Sequence, residues 1–223
     1  MALTVTTKDT TALKEAELLE MAALCEGRSP RFDFAFLTEQ KENWVLVTHA
    51  REGNKLRGYA YCTLERIGGT PALLIGLALV DRNAKSDQTL KTLLHDQLRR
   101  ALLAFPDEDV LIGTRLTTPD GFRVFNGLED IVPREGYRPT GEDRAWGRRL
   151  AKRFGSEKSI DDKTFIMTNA ADSVGGLDYV VAKAAIPEGA SSVFKGVKTD
   201  KGDRLIAFGW AMAEALASGK LAK

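Results

Sequence analysis

Two basic side chains and a run of hydroxyl, carboxyl and amide groups follow directly on an apolar stretch. Leu77-Ala78-Leu79-Val80 leads through Arg82 and Lys85 into Ser86, Asp87, Gln88 and Thr89. A helical pattern starts there, with Leu90, Leu93, Leu94, Ala101, Leu102 and Phe105 on one stripe. The first amides of a helix have no intrahelical acceptor and sit at the positive end of its dipole. They can receive a phosphate, and Arg82 and Lys85 would add positive charge to that place. The plainer reading of the same residues is a Ser86 N-cap beside two solvated basic side chains.

Other reactive side chains are scattered. His49 and His95 have no carboxylate or cysteine cluster around them in sequence, so no metal site is expected. Cys25 and Cys62 lack metal-ligand spacing and read as free, inert thiols of a cytoplasmic chain. Arg144, Arg148, Arg149, Lys152 and Arg153 make one side of a later helix basic. That side is either a solvated face or a contact for a partner. Across 223 residues, 32 Lys and Arg oppose 31 Asp and Glu, a net charge of +1. This argues against a general nucleic-acid or membrane-surface binder. Met1 to Lys14 has no signal-peptide run, and no apolar stretch reaches the ~18 residues of a membrane span.

The elements that would position these residues follow from periodicity and breakers. A helix capped by Asp9, Thr10 or Thr11 is expected to run to Cys25, followed by an irregular segment from Arg28 to Thr38. Trp44–Thr48, Leu56–Arg66 and Ala72–Val80 read as three strands of a meander, turned by Glu52-Gly53-Asn54 and Gly68-Gly69. The third strand is apolar at nearly every position, which predicts burial on both faces. A helix over Ser86–Ala104, a strand over Val110–Leu116 and a helix over Asp120–Ile131 come next, before an extended Gly136-Tyr137-Arg138. Beyond Thr140 the pattern predicts a helix over Glu142–Phe154 and strands at Thr164–Asn169 and Tyr179–Ala184. A loop-rich stretch and a closing helix over Arg204–Ala217 complete it. The expected fold class is α/β (α+β): a mixed, mostly antiparallel sheet with flanking helices. The expected division is a domain at 1–140 with an extension at 141–223 packed on it.

This order, strand-strand-strand-helix-strand-helix, is not that of a doubly wound nucleotide fold, and no G-x-G-x-x-G follows the first strand. From Leu13 to Arg138 the chain resembles the GNAT superfamily, whose members transfer acyl groups from acyl-coenzyme A to amines. The resemblance rests on the Leu77–Val80 strand with its Arg82–Thr89 turn and leucine-rich helix. It rests also on the strand Val110–Leu116 and on Gly136-Tyr137-Arg138 placed like the family's Gly-Phe/Tyr. The family's loop glycines are missing here, and Val132 stands where its common catalytic tyrosine would be.

The resemblance implies acetyl-CoA or another acyl-CoA as co-substrate, without a metal. Leu79 and Val80 would hold the pantetheine arm and help orient the thioester carbonyl. Arg82, Lys85, Ser86, Asp87, Gln88 and Thr89 would face the pyrophosphate. Gly76 would allow a bulge that splays the strand, or else it packs under a neighbour. Attack by an amine needs a base, because an ammonium has no lone pair. Glu65 is the candidate, with Tyr59 and Tyr61 shaping an acceptor pocket; otherwise it is a solvated strand-end charge. Tyr137 is the candidate acid toward the leaving thiolate, or a packed core residue. The implied activity is N-acyl transfer to a small-molecule or peptide amine, in a superfamily where homodimers are common. The alternatives are a GNAT-like module that binds a ligand or protein partner without catalysis, and a phosphate-binding protein of another α/β fold.

Overall fold

A strand with no polar face has to be covered on both sides, and β4 (Thr70–Val80) meets that requirement: every residue from Pro71 to Val80 is buried. In the computed structural model it lies inside a nine-stranded sheet. The structure describes residues 2–27, 32–155, 157–168, 177–178, 186–219 and 221. β1 (Leu3–Asp9), β2 (Leu46–Glu52), β3 (Lys55–Ile67) and β4 run antiparallel in that order. β5 (Val110–Leu116) joins β4 in parallel. β9 (Arg204–Ala211) then pairs antiparallel with β5, and β6 (Glu129–Val132) and the short β7 (Ile166–Met167) pair with β9.

Side-chain size along β3 sets which helix covers which face. Gly58, Ala60 and Cys62 turn small side chains toward α3 (Ser86–Ala104): a Cβ on Gly58 would lie 3.0 Å from Thr89 and 3.3 Å from Leu93. Tyr59 and Tyr61 point to the other face, where the Tyr61 hydroxyl donates to the Leu37 carbonyl of α2 (Phe34–Asn43) at 3.3 Å. α4 (Gly141–Arg153) covers that face, with Leu150 against Gly113 of β5. α3 is anchored to the sheet through Asp96, which accepts from Thr7 at 2.6 Å and from Arg100 at 2.8 Å.

The meander, its turns, α3, β5 and α4 fall where the sequence pattern puts them. Four expectations are corrected. The chain opens with a strand, β1, and the helix α1 starts only at Glu15; Asp9 caps a short 3-10 turn. The Phe34–Thr38 part of the expected irregular segment is helical, the start of α2, because the Asp33 carboxylate accepts from Phe36 N at 3.0 Å and caps it. Asp120–Ile131 is a 3-10 turn (Pro119–Phe125) followed by β6, with Gly127 at φ +83° ending the turn. Arg204–Ala217 is β9 followed by a one-turn helix at Ala213–Ala217, so the stretch beyond Thr140 contributes a strand to the interior of the sheet. The strand expected at Tyr179–Ala184 lies outside the described residues. Among the described residues, no helix is long and apolar enough to cross a membrane.

His49 on β2 is 3% exposed, with its Nε2 3.2 Å from the Met21 sulfur. Burial pulls its pKa down to about 4, against the opposing charge of Glu17, 4.0 Å from Nδ1. The folded state therefore keeps His49 neutral in a range where the unfolded chain binds a proton, so stability falls as pH falls below about 6.5. Between pH 6.5 and 5, above the carboxylate range, the loss should be about 2 kcal/mol. Denaturant titrations of the parent and His49→Leu should show this slope in the parent only. Equal slopes would contradict the assignment.

Candidate functional site: a forked sheet beside a closed turn

β3 and β4 stay in register from Gly58↔Val80 to Tyr61↔Leu77, but the next pair is Cys62↔Ile75. Gly76 is the extra residue of a β-bulge. It is also where a side chain cannot go: a Cβ would sit 2.0 Å from the Trp44 indole. Both roles foreseen for Gly76 are thus filled by one residue. Trp44 is fixed in turn by its Nε1 hydrogen bond to Gln40 (3.1 Å) and by ring contact with Phe154 at 6.0 Å.

The parallel pairing of β4 with β5 extends only from Ala72↔Leu111 to Ile75↔Thr114. It stops at the bulge, and the two strands diverge. A two-residue strand, β8 (Leu177–Asp178), stands in the fork, its main chain paired to Ala78 and Leu79 on one side and Leu116 on the other. Leu79 and Val80 belong to the β4 wall of that fork, held from behind by Tyr59 and Gly58 of β3.

The turn from Asp81 to Thr89 is tightly self-bonded. The Asn83 side chain accepts from Lys85 N at 2.7 Å, and its carbonyl accepts from Ser86 N at 3.1 Å. Ser86 is not the N-cap; that position is Lys85. The buried Ser86 hydroxyl instead closes the turn behind it, within 2.6 Å of the Asp81 carbonyl and 2.7 Å of the Asn83 carbonyl. Lys85 pairs with Glu52, which also accepts from Arg57 at 2.7 Å. These two cations, Lys85 first, pull the Glu52 pKa down to about 2. Asp87 pairs with Arg123 at 2.7 Å, tying the start of α3 to the 3-10 turn after β5. Thr89 is buried, its hydroxyl donating to the Lys85 carbonyl at 3.0 Å. Arg82 and Gln88 are exposed.

Set against the acyl-CoA that the sequence resemblance implies, the two parts of the site differ. The fork fits its extended arm, because β4 beyond Ile75 offers a main-chain edge that β5 does not pair with. The turn fits its phosphates less well: it has no glycine to let backbone approach, and Lys85 and two of its amides already have partners within the chain.

Glu65 and Tyr137 are not brought together. Glu65 accepts two bonds from Arg153 Nε, at 2.8 and 3.1 Å, near the end of α4. Tyr137 donates to Asp143 in the first turn of α4 at 2.8 Å, which raises the phenol pKa. The ten residues between those anchors span about 15 Å of helix, too far for both to serve one reacting atom. Tyr59 and Tyr61 are fully buried core residues and line no acceptor pocket.

Sequence reading passed over Arg115. Its guanidinium is fully buried, 4.9 Å from the centre of the Phe154 ring. Burial, and then the charge of Arg204 on β9, lower its pKa to about 9. The signal was a single charge inside the otherwise apolar Val110–Leu116.

No family model matches the chain, and no curated protein matches it. Solved structures do. The ribosomal-protein alanine N-acetyltransferase of Escherichia coli matches at 14% identity, with 62% of this chain and 86% of that one covered and a TM-score of 0.41. An acetyltransferase of Bacillus subtilis in complex with CoA matches at 16%, with 58% and 80% covered and a TM-score of 0.40. The NatC complex bound to Gag peptide and CoA matches at 14%, with 57% and 83% covered and a TM-score of 0.42. Likenesses of this order assign neither a family nor an activity to this chain.

Because the bulge, the indole and the fork share Gly76, a methyl group there should be costly. Gly76→Ala should lose roughly 3 kcal/mol of unfolding free energy by overpacking, measured by denaturant titration. A loss under about 1 kcal/mol would mean that Trp44 yields easily and does not fix the bulge.

Proposed function

We propose that the chain is an acyl-CoA-dependent N-acyltransferase acting on the amine of a small molecule or peptide. The observation that carries this is the fork: a parallel strand pair cut short at a bulge, with a main-chain edge that only the two-residue β8 pairs, beside a helix N-terminus. When bound, the co-substrate supplies the acyl group as a thioester. Main-chain groups of β4 near Leu79 and Val80 would orient it, and Arg82 and Lys85 would face its phosphates. To receive them, Lys85 leaves Glu52, and the two pairs that β8 makes with β4 are exchanged. Glu65, the base expected from the sequence, pairs opposite Ala72 of β4, about 23 Å of strand from Leu79, so it does not reach a thioester held there and the base toward the acceptor ammonium is left unassigned. A cytoplasmic setting suits two buried free thiols, of which Cys62 is pushed up to about 12 by burial.

A second reading is favoured by the self-bonded turn and by Val132: a GNAT-like module that binds a ligand or partner without turnover. Release of free thiol from acetyl-CoA over a panel of amines separates the two. The first reading expects amine-dependent thiol release. It also expects CoA binding weakened at least tenfold in Lys85→Glu, and an unchanged kcat in Glu65→Gln. Binding without turnover leaves the second reading standing. A parent protein that does not bind CoA in calorimetry overturns the first.

A further inference from the structure

Between the 3-10 turn Pro119–Phe125, the β6 strand with its Pro133 corner, and the segment Pro187–Val193 lies a cavity of about 430 Å³. This is within the range of small-molecule sites. Neither the fork nor the α3 turn contributes a residue to its lining. Its walls are apolar, built by Phe122, Leu128, Ile131, Pro133, Pro187 and Val193. Its charged groups are Asp130, Glu135 and Glu188 against the single cation Arg134, all on exposed residues.

The arginine does not neutralise the acids. Its Nη1 donates to the Ile131 carbonyl at 2.9 Å, and its guanidinium carbon lies over the Tyr137 ring, 3.6 Å from the centroid. None of the three carboxylates makes an ion pair among the described residues. Asp130 sits at φ +44°, and a Cβ on Gly189, itself at φ +74°, would lie 3.0 Å from the Glu135 Cβ. An apolar chamber with uncompensated negative charge at its edge is complementary to one kind of ligand.

We infer that this cavity binds a small primary amine carried on an aryl or alkyl body, with the body against the apolar walls and the ammonium among Asp130, Glu135 and Glu188. Apolar burial supplies affinity, and the carboxylates discriminate against neutral or anionic analogues. The inference is separate from the acyl-transfer reading, since it concerns binding alone.

Calorimetry on the full chain at low salt, with 4-phenylbutylamine and its neutral isostere 4-phenylbutanol, tests it. The amine should bind at least ten times more tightly than the alcohol. The double variant Glu135→Gln, Glu188→Gln, which leaves Asp130 in place, should weaken the amine severalfold toward the alcohol's affinity and leave the alcohol unchanged; both positions are exposed, so the fold is retained. Val193→Trp, checked by circular dichroism, should abolish binding of both. Absence of amine binding, equal affinities in the parent, or an amine affinity unaffected by the double variant would each overturn the inference. None of these results depends on acyl transfer, so the two proposals fail separately.

Discussion

The indole of Trp44 occupies the space where a side chain at position 76 would be, and much of the architecture around the fork follows from that contact. With no side chain to accommodate, β4 bulges at Gly76, and the register with β3 shifts by one residue. The parallel ladder to β5 ends one residue earlier, at Ile75, so the divergence of the two strands coincides with the bulge. Trp44 is itself held by α2 through Gln40 and by α4 through Phe154, and Arg153 of α4 stacks over it at 5.1 Å. Helices far apart in sequence thereby converge on one ring and set the shape of the sheet's centre.

Electrostatics define the other half of the candidate site. The start of α3 is not an open anion hole but the hub of a charge network: Lys85 with Glu52, Arg57 with Glu52 and Asp81, Arg123 with Asp87. Each pair is partly exposed, so each contributes modestly to stability and can exchange partners. That is the physical reason the two readings of function can share one structure. A phosphate has to compete with Glu52 for Lys85, and a ligand arm has to compete with two main-chain pairs of β8.

Legibility in the sequence followed burial and turn chemistry. β4, β5 and α3 carry uniform or strictly periodic apolar patterns, and their bounds were readable to within a few residues. β9 was misread because Leu205–Ala211 is apolar on both faces, and the alanines that follow favour helix by propensity. Only the pairing with β5 and β6 decides between helix and strand there. α2 was missed because Phe32, Phe34 and Phe36 alternate as in a strand, while the cap from Asp33 outweighs the pattern. At the site, residue types at the turn were visible, but not their partners. That Lys85 faces Glu52, 33 residues away, or that Glu65 faces Arg153, 88 residues away, is a property of the folded sheet. Arg115 was hidden for the opposite reason: a lone arginine in an apolar strand reads as an exposed end, whereas stacking on Phe154 lets it be buried.

Hydrogen exchange of the backbone amides, with and without saturating CoA, addresses the central claim most directly, that the fork and the α3 turn form one ligand site. Increased protection confined to Gly76–Val80 of β4 together with Asn83–Thr89 is the predicted result. Unchanged exchange at both segments, or protection that appears only elsewhere in the chain, would contradict it.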